Sequence, residues 1–529
     1  MKIYPNLFAY LNQEASSINA SILHGCNRPI LTLDNTELIS VTSQLIPHSN
    51  LVYEIGFPYL KLSDWQHHNC QLQFDLVLNI NQTHHSLLIT DEVLDEGVIE
   101  EEKQLEEWKN SQWSNILDGS ISLLLQSYTG LFTSKDLWSQ RTGELAKIRL
   151  SKLSNHLENF NVADATLPLI ISLEKRYELV QKLRAIEPKL RHQLRRQAEL
   201  MSIGCIQEMD SYCLRDYTRR PGRSPEEKGG SRQVLMGIQR YQDYNTTENK
   251  FLVYFVGKIL HLECFRYEQT GATSYLEPAI KFRQAIDTFK KAPAVVTISN
   301  HYFQFTKPNY ILQQNPIYSS FYRAYLDYIY KRSETEQVWS YRNQLLGDVV
   351  YLCLLAALLR FQGVCLKPLA SLSTRTSIDR GSYLLKRQDK SNSILVFLSQ
   401  HVYNFRVEKN SHLSLGDYRL IIEAHNLHSA ELNTIQYQFP IWIFWYKPSD
   451  EVISQAEKYI NGQPNIYPIG ILIYLQTPPN QSVADCELNK VSERLWLCQV
   501  ASPVEAESFS SIVKFFAQEV IKPLVAEVL

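Results

Sequence analysis

The chain has 529 residues, 44% of them hydrophobic and 20% charged, and its formal net charge is −2. This composition excludes a disordered or fibrous protein, and the length favours about two to four folded domains over one compact core. The nine cysteines include no C-x-x-C pair, and no apolar run approaches the roughly 20 residues that a bilayer span needs. We therefore expect a cytoplasmic protein with reduced thiols and no membrane segment.

The first 110 residues carry the pattern of half-buried strands. Apolar and polar residues alternate in 51–55 (LVYEI) and in 72–80 (LQFDLVLNI), and successive side chains of a strand point to opposite faces. Residues 1–110 are therefore predicted to form a β-rich domain. The neighbouring histidines His84 and His85 would point to opposite faces of such a strand, so no metal site is predicted there.

Residues 111–335 have apolar residues at helical spacing and are predicted to form a mainly helical domain. The longest helical candidate is 174–201, which is interrupted by Pro188 and carries eight lysines and arginines. A second helix is predicted to start at Thr246, because a threonine in the N-cap position followed by Glu248 suits the free N–H groups and the positive end of a helix.

A cationic segment with several glycines and prolines interrupts the helical domain. Residues 219–232 read RRPGRSPEEKGGSR, and the prolines and glycines oppose a continuous helix, so a basic surface loop is predicted. Arginine pairs with phosphate and with carboxylate equally well, so such a loop suits either a nucleic acid or an acidic protein. The predicted binding residues are the cations in and around this loop: Arg215, Arg219, Arg220, Arg223, Lys228, Arg232 and Arg240.

Residues 336–529 alternate helical and strand-like segments, which is typical of an α/β domain. Helices are predicted at 341–361, 451–461 and from 508 onward, and strands at 394–398, 418–424, 440–446, 469–476 and 495–500. The whole sequence contains no G-x-x-x-x-G-K-[ST] loop, no strand-linked G-x-G-x-x-G and no H-E-x-x-H. We therefore predict neither nucleotide hydrolysis nor a catalytic zinc in this chain.

The order of elements in 336–529 resembles the core of a PD-(D/E)XK nuclease. Such a site needs an acid at the start of one strand and an acid-x-Lys on the next, because two carboxylates hold the divalent cation that activates water. Asp417 stands where the first acid belongs, but 441–447 reads IWIFWYK, which is apolar and aromatic where the second acid should be. The residues that could replace the missing pair are Glu423, Glu431 and Lys447.

Taken together, the chain resembles the McrC-like family of prokaryotic restriction and defence proteins. The resemblance rests on 219–222 (RRPG), on 245–251 (NTTENKF), and on the helix, Asp417 and strand order behind them. It implies an α+β multidomain protein with a β-rich N-terminal domain (1–110), a helical middle domain with the basic loop (111–335) and a C-terminal α/β PD-(D/E)XK-like domain (336–529). It also implies DNA and a separate McrB-like AAA+ ATPase, or another defence-system subunit, as partners.

The favoured hypothesis is a DNA-associated component of a restriction or antiphage defence complex, with a degenerate nuclease-like domain for which no cofactor is predicted. Two alternatives stay open. An active DNA endonuclease would use Asp417 with Glu423 or Glu431 and Lys447, and it would need Mg²⁺. A pure assembly scaffold would use the basic loop only to dock on acidic protein.

Overall fold

A computed structural model describes most of the chain. The described residues are 2–14, 22–24, 27–33, 45–49, 51–56, 66–68, 71–80, 83–91, 124–125, 128, 145–158, 167–269, 275–298, 308–338, 341–361, 364–366, 371–377, 381–384, 393–398, 401–410, 412–426, 435–463, 468–475, 486–501 and 508–528. Two compact units are present. The sheet unit comprises Met1–Ser172, Arg266–Leu276 and Ile329–Leu529, and the helical unit comprises Leu173–Phe265 and Glu277–Tyr328.

The N-terminal part of the sheet unit is rich in strands, as predicted. Its elements are β1 Lys2–Tyr4, α1 Leu7–Leu11, β2 Ile22–His24, β3 Ile30–Thr32, β4 Leu45–Ser49, β5 Val52–Ile55, β6 Gln66–His68, β7 Gln71–Ile80 and β8 Thr83–Asp91. Among the described residues they form two four-stranded sheets, in the orders β1-β3-β5-β4 and β2-β8-β7-β6. The pairing of β3 with β5 places residues just before β3 close to the end of β5.

The middle of the chain is mainly helical, which also agrees with the prediction. Its elements are β9 Leu145–Arg149, α2 Leu150–Glu158, α3 Leu169–Tyr177, α4 Leu179–Ile186, β10 Gln193–Ser202, α5 Ser211–Arg219, α6 Pro225–Gly229, β11 Val234–Asp243, α7 Thr247–Tyr254, α8 His261–Gln269, α9 Leu276–Lys291, α10 Pro293–Val296, α11 Tyr310–Gln314 and α12 Pro316–Val338. A π-helical stretch, Phe255–Leu260, joins α7 to α8.

Two local predictions in the middle region are wrong. The expected long helix over 174–201 ends near Pro188, and β10 follows, paired residue for residue with β11 over its whole length. Pairing with a strand that lies far along the chain outweighs the helical propensity of this segment. The expected basic loop, 219–232, begins at the last residue of α5 and contains the short helix α6, with Ser224 capping α6 and Pro225 in its first turn, where proline is tolerated.

The C-terminal part of the sheet unit carries the largest sheet. Its elements are α13 Arg342–Leu358, β12 Val364–Leu366, β13 Ser371–Ser377, β14 Gly381–Leu384, β15 Ile394–Leu398, β16 His401–Lys409, β17 Tyr418–Asn426, β18 Ile435–Phe444, α14 Asp450–Asn461, β19 Gly470–Leu475, β20 Glu487–Ser492, β21 Leu495–Val500, α15 Ser508–Phe515 and α16 Lys522–Val528. Within the described ranges, eight strands pair in the order β12-β15-β16-β17-β18-β19-β21-β20. β9, β13 and β14 form a separate three-stranded sheet.

The largest sheet is antiparallel from β12 to β18 and parallel from β18 through β19 to β21. A parallel connection needs a crossover, and α14 supplies it between β18 and β19. Ser449 caps α14 by accepting from the N–H of Val452. The helix buries Val452, Ala456 and Ile460 in a cluster with Trp442 of β18, which fixes α14 against this sheet.

The strands and helices predicted in 394–500 are present, together with β16 and β20, which were not predicted. β16 lies between the expected strands at 394–398 and 418–424, and it buries Tyr403, Phe405 and Val407 at alternate positions. The helix α13 is buried nearly all round, which explains why its sequence is a continuous apolar run. Along the part of the chain that the structure describes, no helix combines the length and apolar character that would let it cross a membrane.

Candidate functional site

Asp417 lies immediately before β17, at the edge where β17 meets β18. The preceding residue, Gly416, has φ +82°, and a Cβ there would approach the backbone N of Ile441 and the backbone O of Tyr418 at 2.7 Å. Only glycine fits so close a contact in this conformation. The close approach of Gly416 to β18 places the Asp417 carboxylate beside that strand, where Oδ2 accepts a hydrogen bond from the N–H of Ile443 at 2.8 Å.

The Asp417 carboxylate is paired with a buried arginine from the N-terminal region. Arg28, whose side chain is 2% exposed, donates from its two terminal nitrogens to both oxygens of Asp417, at 2.5 and 2.9 Å. It also donates to both oxygens of Glu54, at 3.1 and 2.7 Å, and to the carbonyl of Ile443 at 2.8 Å. Five hydrogen bonds therefore use all five N–H groups of this guanidinium.

Glu54, on β5, is the second acid of this cluster. Its side chain is 4% exposed, and it also contacts His48 Nε2 at 2.9 Å and the amide of Asn343 at 3.3 Å. Burial alone would raise the pKa of Glu54, but the charge of Arg28 and the hydrogen bonds from His48 and Arg28 lower it. Burial alone would lower the pKa of Arg28, and the two carboxylates outweigh it and raise that pKa. Both partners are therefore held in their charged forms.

The backbone of Arg28 is strained. Its φ is +59°, in the left-handed region that non-glycine residues seldom adopt, and it precedes Pro29, which further restricts the residue before it. Such conformations persist when the surrounding contacts hold them in place. The five hydrogen bonds of the guanidinium, and its position 5.6 Å from the ring centroid of Phe444, supply those contacts.

The arrangement around Asp417 does not fit a divalent metal ion. A nuclease-like site would need the Asp417 oxygens to face a cation together with a second acid and water. Here those oxygens, the Glu54 carboxylate and the Ile443 carbonyl all face one guanidinium. A metal ion at this place would lie against a buried positive charge, and among the described residues no group of three or more His, Cys, Asp or Glu could hold one.

Glu423 and Lys447, two of the other predicted catalytic candidates, are not brought to Asp417. Glu423 lies on the same strand six residues further on, about 20 Å away at strand rise, and its carboxylate contacts Arg406 and Asn404. Lys447 is exposed and follows the end of β18. Glu431 lies outside the described residues.

A second buried acid, which sequence analysis missed, lies next to the site. Asp348 on α13 is 1% exposed and accepts from Tyr418 Oη and Lys409 Nζ, each at 2.6 Å, and from the N–H of Leu384 at 2.8 Å. Burial and the nearby Asp348 charge raise the pKa of Tyr418 well above its usual value. An acid inside the apolar stretch of α13 was the sequence signal, because a buried charge needs partners.

The seven predicted binding cations fall into two groups. Three of them are committed to contacts within the helical unit. Arg220 pairs with Asp216 at 2.7 Å and donates to the carbonyl of Val234. Lys228 donates to the carbonyl of Tyr217 and lies 4.1 Å from its ring centroid.

Arg240 is the third committed cation, and it pairs with Glu208 at 2.6 Å. The remaining four are exposed and have no side-chain hydrogen bond or ion pair with any residue that the structure describes: Arg215, Arg219, Arg223 and Arg232. Arg215 and Arg219 are four residues apart on α5 and therefore share one face of the helix. We call these four residues the arginine surface.

The predicted helix start at Thr246 is confirmed and belongs to a buried polar network. Thr246 caps α7 by accepting from the N–H of Asn249. Asn249, fully buried, donates to the carbonyls of Arg191 and Tyr244 at 2.7 and 2.8 Å and accepts from Tyr318 Oη. The start of α7 is therefore hydrogen-bonded both to the chain just before β10 and to the chain just after β11.

Glu248, 2% exposed, completes this network. It accepts from Arg191 at 2.6 Å and from the amide of Asn309 at 2.9 Å. Burial is the main cause that raises the pKa of Tyr318 to about 12, and the nearby charge of Glu248 contributes to it. Because these hydrogen bonds satisfy the polar groups of the network, its side chains can be buried within the helical unit.

A family model and a solved structure are among the proteins that are similar to this chain. The family described as Domain of unknown function (DUF2357) matches residues 149–325, which is the mainly helical part of the chain. No match was found among curated protein sequences. A half-complex of Thermococcus gammatolerans McrB AAA+ hexamers with bound McrC is similar over 92% of this chain and 86% of that chain, at 9% identity and a TM-score of 0.18.

Proposed function

We propose that this protein is a DNA-associated component of a prokaryotic restriction or antiphage defence complex. In this proposal its C-terminal domain is nuclease-like in form and does not cleave DNA. It binds DNA, an McrB-like AAA+ partner, or both. The arginine surface supplies the contacts, and the partner supplies nucleotide hydrolysis.

The order of elements around Asp417 supports the nuclease-like part of the proposal. After α13 and the strands β12 to β15 come the antiparallel strands β16, β17 and β18, then the crossover helix α14 and the parallel strand β19. The resemblance to a PD-(D/E)XK core was based on a helix, the strands at 394–398, 418–424 and 440–446, a helix and a strand. These elements correspond to α13, β15, β17, β18, α14 and β19, and β16 is inserted between β15 and β17. Asp417 lies at the start of the middle strand, where that core carries its first acid.

The proposal that this protein does not cleave DNA rests on the pairing of Asp417 with Arg28. A metal-dependent nuclease needs the first acid to bind a divalent cation. Both oxygens of Asp417 instead accept from one buried guanidinium, and 441–447 offers no acid-x-Lys on the neighbouring strand. The proposal therefore assigns Asp417 to holding the N-terminal region on β17 and β18 rather than to metal binding.

The arginine surface supports the binding part of the proposal. Exposed arginines without an acidic partner gain hydrogen bonds and charge pairing when a phosphate or a carboxylate arrives. Phosphate contacts release counterions, so DNA binding through this surface must weaken steeply as salt increases. Binding to an acidic protein surface also weakens with salt, so the partner must be identified directly.

The test combines three measurements on the full-length protein. We expect DNA binding at low salt that falls with ionic strength, no cleavage of plasmid DNA with Mg²⁺ and nucleotide, and co-purification with the product of an adjacent AAA+ gene. Metal-dependent cleavage that Asp417→Asn abolishes would replace the proposal with an active nuclease. Absence of both DNA binding and a protein partner would reject the binding role.

A further inference from the structure

One edge of β10 is open to a further strand. Within the part of the chain that the structure describes, β10 pairs with β11 alone, in one register over its whole length. Every residue of β10 is exposed except Ala198 and Met201, which are half-buried. Proteins commonly protect a strand edge with proline, lysine or a bulge, and β10 has no proline, no lysine and no bulge.

A contact of β11 shows which backbone groups of β10 lie at the open edge. The N–H of Ile238 points away from β10 and donates to the carbonyl of Glu208 at 2.9 Å. Ala198 lies opposite Ile238, and opposite residues of an antiparallel pair either bond to each other or both point away. The N–H and C=O of Ala198, and those of every second residue of β10, therefore point to the open edge. A strand added there would hydrogen-bond to them.

The sequence LRRQAEL within β10 is complementary to itself in the antiparallel direction. When two copies of β10 run antiparallel about Gln197, Leu194 of each copy lies opposite Leu200 of the other. Arg195 of each copy then lies opposite Glu199 of the other. The leucine pairs share one face of the sheet and the charge pairs share the opposite face. Apolar pairs and opposite charges directly across two strands stabilise a sheet.

Shifting the centre of this pairing by one residue loses the complementarity. About Arg196, the arginines of the two copies face each other, and like charges directly opposite destabilise a sheet. About Ala198, Arg195 faces Met201 instead of an acid. Of these three registers, the one about Gln197 alone matches apolar residues with apolar residues and each arginine at 195 with an acid.

We propose that β10 is a self-association surface, through which two copies of this chain pair antiparallel about Gln197. The product is a continuous sheet in the order β11, β10, β10, β11. Such a contact is symmetric, so the same patch serves on both copies and each favourable pair forms twice. This inference goes beyond the proposed function and does not depend on DNA or partner binding.

The side chains at the open edge are available for this pairing. Glu199 is exposed and has no ion pair or side-chain hydrogen bond with any residue that the structure describes. Arg195 pairs with Asp243 at 2.5 Å, yet 56% of its side chain is exposed, so it can also contact an acid of a second copy. Leu194 and Leu200 are 66% and 54% exposed, and the paired strands would cover part of both.

The first test is sedimentation velocity of the full-length protein over a micromolar concentration series. An interface made by one strand from each copy is small, so we expect a weak dimer that forms as the concentration rises. Glu199→Arg places arginines opposite each other twice and should raise the dissociation constant of the dimer about tenfold or more. Glu226→Arg makes the same change of charge on α6 and should leave dimerisation unchanged.

A mixture of two charge variants tests the register. In Arg195→Glu two acids face each other, and in Glu199→Arg two arginines do, so each variant alone should stay monomeric. In an equimolar mixture each substituted position faces the opposite charge, and dimers should return. Loss of folding in either variant would give no such recovery.

Ala198→Pro tests the backbone part of the proposal. The N–H that it removes points to the open edge, so the pairing of β10 with β11 keeps its hydrogen bonds while the added strand loses one. We expect a folded monomer. Because this variant changes no charge, it decides the question if Arg195→Glu fails to fold beside Asp243.

Four results would overturn the inference. A wild type that is monomeric at every concentration means that the open edge does not pair. Dimerisation of Glu199→Arg or of folded Ala198→Pro at the wild-type level places the contact elsewhere. A mixture of the two folded charge variants that stays monomeric rejects the register about Gln197.

Discussion

Arg28 and Asp417 are 389 positions apart in the chain and face each other as a two-pronged ion pair, with nitrogen to oxygen distances of 2.5 and 2.9 Å. The pair joins the N-terminal strands to the start of β17 and brings Glu54 into the same cluster. A guanidinium can meet two carboxylates and a carbonyl together because its five N–H groups lie in one plane. Lysine has no such geometry.

Arg28→Lys is therefore expected to destabilise the sheet unit although it keeps the charge. The ammonium group cannot reach both oxygens of Asp417 and both oxygens of Glu54, so at least one buried acid is left without its partner. Breaking a buried pair costs about 3 to 5 kcal/mol. Chemical unfolding measures this destabilisation, and Lys458→Arg, at an exposed pair with Glu14, is the control that should stay near wild type. A stable Arg28→Lys would show that the fork geometry is unimportant.

Stability of the sheet unit should fall in acid because of Glu54. The pKa of Glu54 is lowered in the folded protein, so its contribution is fully present above its unfolded pKa, which is about 4.5, and is lost as the pH falls below that value towards the folded pKa. Unfolding free energies at pH 6, 5, 4 and 3, values chosen to bracket roughly that unfolded pKa, should decline more steeply for wild type than for Glu54→Gln. Equal slopes would mean that Glu54 is not held charged by Arg28.

Gly416→Ala should cost about 2 kcal/mol or more. Its Cβ would meet backbone atoms at 2.7 Å, and φ there is +82°, so steric clash adds to the usual strain of a non-glycine residue at positive φ. Gly230 offers a matched control, because its φ is +60° and a Cβ there meets nothing within 4 Å. Gly230→Ala should therefore carry only the backbone strain, about 1 to 3 kcal/mol, and cost less than Gly416→Ala. Equal costs for the two variants would contradict the close approach of Gly416 to β18.

Ionisation of the Tyr318 hydroxyl should lower the stability of the helical unit at alkaline pH. Its pKa is raised to about 12, so its contribution is full below the unfolded pKa of about 10 and declines as the pH rises from there to the folded value. Tyr318→Phe should remove this part of the decline between those pH values, although it also leaves the Asn249 side-chain oxygen without its hydroxyl donor. Unfolding free energies across this range measure the difference, and parallel curves for wild type and variant would refute it.

Local patterns predicted much of the fold. The strand at 394–398, the helix at 451–461 and the start of α7 at Thr246 were all predicted from period and capping. The helix predicted over 174–201 failed because β10 is stabilised by β11, and nothing within that segment shows that partner. Hydrophobic periodicity depends only on residues that are close in sequence, so it cannot show pairing with a distant strand.

The site was predicted in part for the same reason. Asp417 was identified because its place at a strand start can be read locally, and its carboxylate lies where β17 meets β18. Arg28 was missed because its role depends on meeting Asp417 across the fold, and no local signal distinguishes it from an exposed arginine. Of the seven predicted cations, Arg220, Lys228 and Arg240 are engaged within the helical unit, since charge alone does not report partners.

The arginine surface gives the prediction that bears most directly on function. Replacing Arg215 and Arg219 by alanine should weaken DNA binding and reduce the slope of log affinity against log salt by about 1 for each phosphate that is no longer neutralised. Lys281→Ala, which also removes an exposed cation from the helical unit, should leave that slope unchanged. Fluorescence anisotropy across a salt series measures both variants. Equal slopes for the double variant and the wild type would move the DNA-binding surface away from α5.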